Sequence, residues 1–295
     1  MSDHSIIRFA DRAAASLREE YSNEPEKELL LWLHLALRRE AMVGQAYDET
    51  HLAIHLDGLK RRGLGLRETE VIRTALASAW AQEKGHASYL DAVLTAVAPP
   101  QNIVERIGIT LQRVMGMLEG TIVADLGAVS LRRARARIAI AVGKLVAEVP
   151  QFIEELEVTQ FDDFCGINAD LEATAIAGYE RMLVLLRSIT AGRRLAPGST
   201  LRSDIGRMLR DERYHRELFD CLGLLFNSNL APSSTVVLEK IERAQELAYG
   251  PEDEIRGSAP GIRPAKLSER ATRVMHVNAT AVELDPIIVA MRAAL

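Results

Sequence analysis

Two short segments of this chain place a glutamate and a histidine three residues apart: Glu83-x-x-His86 and Glu212-x-x-His215. Each pair interrupts an otherwise apolar stripe that steps by three and four. The first stripe is Ile72, Leu76, Ala79, Glu83, His86, Leu90, Val93, Val97; the second is Ile205, Met208, Glu212, His215, Phe219, Leu222, Phe226. Such spacing puts all members of a stripe on one face of a helix. A carboxylate on a face destined for the core is costly unless it is paired, protonated or bound to a cation. One such pair would be a weak signal. Two on apolar stripes ask for a common partner.

The elements that must position these residues are helices. The first runs from about residue 25 to 62 and stops at Arg61-Arg62-Gly63-Leu64-Gly65; the second runs from about 66 to 97 and stops at Pro99-Pro100. A third spans about 168–191. After the loop Gly192 to Gly198, a fourth starts at Ser199 or Thr200 and runs to about 227. The first helix carries the stripe Leu31, Leu35, Met42, Gln45, Glu49, Leu52, Leu56, Leu59; the third carries Ala173, Ile176, Glu180, Leu183. Counted from the turns near residues 64 and 195, Glu49 is level with Glu83, and Glu180 with Glu212, to within about one helical turn. Two antiparallel hairpins thus each offer a Glu and a Glu-x-x-His to a shared interior. On the first helix Glu40 and Asp48 remain alternatives to Glu49, because Asp48-x-x-His51 with His55 makes a second polar set on a neighbouring face.

Four carboxylates and two imidazoles bring a formal charge of about −4, which two divalent cations balance. Two carboxylates can bridge, and each ion takes one imidazole. Mixed oxygen and nitrogen ligation with open positions suits iron or manganese better than a closed structural zinc site. The set Glu49, Glu83, His86, Glu180, Glu212, His215 also matches the arrangement of di-iron helical bundles.

With these residues in view, the chain resembles the ferritin-like di-iron carboxylate superfamily over about residues 28–97 and 165–227. Asp211-Glu212-x-x-His215 is similar to the second motif of acyl-carrier-protein desaturases and ribonucleotide reductase small subunits. The resemblance implies an all-α, ferritin-like four-helix bundle with additional helices. It implies that Asp211 hydrogen-bonds His86 and, by pseudo-symmetry, that Gln82 does the same for His215. It also implies two iron ions (or a manganese–iron pair), O2 as a reactant, a small organic or acyl substrate and an electron donor. Hydroxylation, desaturation and N-oxygenation share such a centre. Leu90 stands where the reductases carry a radical Tyr, and Met208 where arylamine N-oxygenases carry a further His. Both point away from those branches. Other readings of the same residues are iron oxidation and storage, a manganese–iron oxidase that binds a ligand, and a metal-free scaffold.

The rest of the chain bounds these readings. One domain over 1–295 is expected, with a helical insertion at about 101–160 and a C-terminal extension at about 233–295. The insertion carries many glycines, and its Arg132 to Arg137 run reads as a solvated face. Net charge is −5, which disfavours nucleic acid as a partner. The apolar run from Ile107 to Val129 is broken by Arg113, Glu119 and Asp125, so a membrane span is not expected. Cys165 and Cys221 fit no metal or redox spacing and read as reduced core thiols. With a polar N-terminus, they point to a cytoplasmic protein, expected as a homodimer. Tyr47, Tyr89, Tyr179 and Tyr214 flank the candidate ligands and read as packed phenols.

Overall fold

The computed structural model describes residues 23–46, 56–61, 63–98, 159–193, 199–227, 233–250 and 269–294. Glu49, with Tyr47, Asp48, His51 and His55, lies outside them, as does the insertion up to residue 158 with its arginine run. Among the described residues the structure is all-α, with no strand.

Four long helices form the body. They are α1 (Pro25–Ala46), α2 (Leu66–Val97), α3 (Thr159–Arg193) and α4 (Thr200–Asn227). Helices α1 and α2 pack together, α3 and α4 pack together most extensively, and α1 joins the two pairs by packing on α3. A helical turn at 56–61 precedes α2. Between them Gly63 adopts φ +94, the left-handed conformation that glycine takes without a Cβ penalty. Its N–H donates to the Lys60 carbonyl, and the Leu64 N–H donates to that of Leu59. The bounds of α2 and α4 follow the sequence signals. Helix α3 starts at Thr159, well ahead of residue 168.

Four shorter helices complete the described chain: α5 (Ser234–Tyr249), α6 (Glu269–Thr272), α7 (Ala279–Glu283) and α8 (Pro286–Ala294). The Ser233 hydroxyl caps α5 by accepting from the Val236 N–H. Helix α5 is capped by Gly250, which has a φ of +79 and donates its N–H to the Glu246 carbonyl. It packs mainly on α4 and also touches α2. Asp285 joins the starts of α4 and α8, accepting from the backbone N–H groups of Leu201 at 3.0 Å and Ile287 at 2.8 Å.

The apolar core falls into two clusters. One includes Leu33, Leu90, Val93, Tyr179, Met182, Ile205 and Met208; the other includes Leu59, Ile72, Leu76, Ala79, Cys165, Phe219 and Leu222. Along α2, Glu83 and His86 sit between residues of the two clusters, and along α4 so does Glu212. A charged layer is therefore sandwiched between apolar ones. Glu28 pins α1 against α3. Both of its oxygens accept from Arg181 at 2.7 Å, and Trp32 Nε1 adds a third bond at 3.1 Å.

Candidate metal centre

Glu83, His86, Glu212 and His215 meet in the middle of the bundle, each buried. The i, i+3 spacing aims both members of each pair to the same side of their helix. The imidazole rings lie 6.2 Å apart, centroid to centroid.

The other two members of the ring are Glu40 of α1 and Glu172 of α3, each 1% exposed. Ligand atoms of Glu40, Glu83, His86 and Glu212 lie within 4.8 Å of one another. So do those of Glu83, Glu172, Glu212 and His215. Glu83 and Glu212 belong to both groups. The two groups adjoin, share two carboxylates, and could each hold a cation.

Glu180 does not join them. Its side chain is 53% exposed and accepts from Arg213 at 2.8 Å on the outside of the bundle. The buried face of α3 is Glu172, Ala175, Tyr179, Met182, Leu186, one position behind the expected Ala173, Ile176, Glu180, Leu183. One position turns a helix by about 100°, which carries Glu180 out and Glu172 in. On α1 the face is Leu29, Leu33, Ala36, Leu37, Glu40, while Leu35 is 39% exposed. The run Leu29-Leu30-Leu31-Trp32-Leu33 is apolar on every side, so periodicity alone selects no face.

The inner atoms have the arrangement expected around a cation. His215 Nδ1 is 2.6 Å from Glu83 Oε1, and His86 Nδ1 is 3.0 Å from Glu212 Oε1 and 3.4 Å from Glu40 Oε2. These approaches lack hydrogen-bond geometry. Both oxygens of Glu83 and of Glu212, Glu40 Oε2 and both Nδ1 atoms are buried without a hydrogen-bond partner. Buried polar atoms are otherwise almost always satisfied. Orphans that converge from separate helices fit cations as their shared partner.

The outer atoms are held. His86 Nε2 is 3.1 Å from Asp211 Oδ2, and His215 Nε2 is 2.8 Å from Gln82 Oε1. Each outer nitrogen thus has an acceptor, which leaves each Nδ1 lone pair for the interior. Glu40 Oε1 accepts from Arg39 Nη2 at 2.6 Å and from the Tyr179 hydroxyl at 2.7 Å, which turns Oε2 inward. The Arg39 guanidinium also lies over the Tyr179 ring, 4.9 Å from its centroid. Tyr214 packs at 5.8 Å beside His215, and Tyr89 is a buried phenol of the apolar cluster. Cys165 and Cys221 are buried free thiols.

Electrostatics report the crowding. Burial, then the Glu212 and Glu40 charges, push the Glu83 carboxyl well above the usual range. Burial acts on Glu40 in the same sense, but Arg39, Glu83 and His86 outweigh it and hold its carboxyl well below that range. Burial pulls His86 down, and the Asp211, Glu212 and Glu40 carboxylates overcome it and raise the imidazole well above its ordinary value. Burial lowers His215. Both upward shifts favour the protonated forms of Glu83 and His86 when no cation is bound.

The sequence motifs led to the residues of α2 and α4 and to the partners behind their imidazoles. Glu172 and the Arg39–Tyr179 clamp on Glu40 carry no motif. The one sequence signal for Glu172 is that it falls on the neighbouring apolar face of α3, with Ala175, Tyr179, Met182 and Leu186. The chain matches no protein-family model, and no curated protein or solved structure is significantly similar to it. Among the described residues no helix is long and apolar enough to cross a membrane.

Proposed function

We propose that this protein is a non-haem di-iron oxidase or oxygenase acting on a small organic or acyl substrate. The observation that carries the reading is the set of buried, orphaned ligand atoms from Glu40, Glu83, His86, Glu212 and His215, with Glu172 closing the second group. Glu40 and His86 would hold one ion, Glu172 and His215 the other, and Glu83 and Glu212 would contact both. Four carboxylates balance two divalent ions, and mixed oxygen and nitrogen donors suit iron or manganese. The likeness of Asp211-Glu212-x-x-His215 to the desaturase and reductase motif supports the same centre.

Iron held by these residues would supply the redox chemistry toward O2 and an organic substrate. The chain's own part is positional. Asp211 and Gln82 fix the imidazole rings, Arg39 and Tyr179 fix Glu40, and the two apolar clusters keep bulk water from the charged layer. The substrate and the electron donor belong to this proposal, as does assembly into a homodimer.

The test is to load the protein with ferrous iron without air and then admit O2. The proposal expects consumption of O2 and a transient visible absorption that depends on Glu83 and Glu212. Release of mineralised ferric iron in large excess over the chain, with no such transient, would favour iron handling instead.

A further inference from the structure

The partners behind the two imidazoles are themselves joined, through a residue outside the four long helices. Tyr249 is the last residue of α5, and Gly250, with φ +79, caps the helix beside it. Its hydroxyl donates to Asp211 Oδ1 at 2.9 Å. The same oxygen accepts from Gln82 Nε2 at 3.4 Å. Its ring packs at 5.7 Å on Tyr214, which in turn packs on His215. One continuous chain results: His86, Asp211, Tyr249, Gln82, His215.

The direction of each bond in that chain is fixed by donor and acceptor chemistry. The Tyr249 hydroxyl donates to Asp211 Oδ1, and a carboxylate oxygen accepts, so the His86 Nε2 proton points to Asp211 too. The Tyr249 oxygen then presents a lone pair to Gln82, which must turn its NH2 that way. The amide carbonyl is left facing His215, and His215 must meet it with an Nε2–H. The proton cannot then sit on Nδ1, the atom that faces Glu83. Without Tyr249 the amide is free to flip. A flipped Gln82 offers a donor to Nε2 and favours the tautomer that places a proton on Nδ1, where it blocks the ligating lone pair.

We propose that Tyr249 is a positioning residue that sets the tautomer of His215 through Gln82 and orients Asp211 behind His86. The role rests on the metal-centre reading for its purpose. Its geometry is present in the chain itself, so the two can be tested apart.

The decisive experiment is 15N NMR of the histidine rings in the metal-free full-length protein at about pH 8, where an ordinary imidazole is neutral. In the unaltered chain His215 is expected as the Nε2–H tautomer. In Tyr249→Phe the Nδ1–H form rises several-fold. Adding Gln82→Glu to Tyr249→Phe restores the Nε2–H form, because a carboxylate offers no donor whichever way it turns. A role in packing α5 alone would leave the tautomer unmoved and would not be rescued at residue 82. Should Tyr249→Phe fail to fold, 3,5-difluorotyrosine at 249 keeps the ring and weakens the oxygen as an acceptor, and the same shift is expected at smaller amplitude. An unchanged tautomer in either variant overturns the proposal.

A parallel titration with Mn(II) reads the purpose. Affinity in Tyr249→Phe falls by about 10-fold, the lower end for loss of such a partner. Failure of the unaltered chain to bind Mn(II) would count against the metal centre, whereas a fixed tautomer would count against Tyr249.

Discussion

Glu180 and Glu172 lie on the same helix eight positions apart, yet one is paired with Arg213 at the surface and the other is sealed in the core. The contrast gives a sharp test. Glu172→Ala and Glu40→Ala should each lower metal content, because each removes an acceptor that only one cation position sees. Glu180→Ala should leave content unchanged and move stability by no more than about 0.5 kcal/mol, as for an exposed ion pair. Metal analysis and thermal melts of the three variants check this together. The paired motifs were legible because a Glu and a His on one apolar stripe constrain the helical face twice over. The lone carboxylates of α1 and α3 were not. Each lies in a helix whose apolar residues cover more than one face, so a slip of one position costs the pattern nothing. Height offered no correction, since α3 runs past its site residue about nine residues further than α4 leads into its own, about 14 Å of axis.

At the scale of elements, the site depends on helices held in a fixed register. Glu28 and Arg181 set α1 against α3 with two parallel bonds, and hence Glu40 against Glu172. Glu28→Ala should cost about 1–2 kcal/mol, less than a fully buried pair because Arg181 can reach water. It should also weaken metal binding although it is no ligand; unfolding curves and a metal titration of one preparation read both. Gly85, between Glu83 and His86, marks a second contact. A Cβ there would lie 2.9 Å from Val274 Cγ1 and 3.2 Å from the Met275 backbone nitrogen. The segment after α6 thus runs close over α2, and Arg207 ties it down through a 2.8 Å bond to the Arg273 carbonyl. Gly85→Ala gains about 1 kcal/mol of helix propensity but meets backbone, where overpacking costs about 1–3 kcal/mol. The clash should win, and the melting temperature should fall. A rise would mean that the segment does not lie against α2. The sequence marked the ends of α2 and α4 through glycine, proline and capping residues, whereas the contact at Gly85 joins segments far apart in the chain and leaves no local pattern.

For the whole molecule, the charged layer makes stability depend on what neutralises it. In the metal-free chain Glu83 and His86 both titrate above their unfolded values. These two groups therefore bind more protons in the folded state than in the unfolded one. The stability these groups contribute is complete below their unfolded values and is lost as pH rises through the folded ones. Glu40, held low, stays ionised across this window. His215, lowered by burial, acts in the opposite sense only where an unfolded imidazole is protonated, below about pH 7. The melting temperature of metal-free protein should thus fall from about pH 7 upward, and the increment gained on adding Mn(II) should grow over the same range as the cation takes the place of protons. Melting curves of the two forms against pH decide it; a metal increment that shrinks with rising pH would contradict it.

The measurement that bears most directly on the centre is metal stoichiometry after anaerobic loading, in the unaltered chain and in Glu83→Ala and Glu212→Ala. Each of these carboxylates belongs to both cation groups. About two ions per chain are expected, with both lost from either variant. Full occupancy in Glu212→Ala, or no bound metal in the unaltered protein, would rule out a two-ion centre built on these carboxylates.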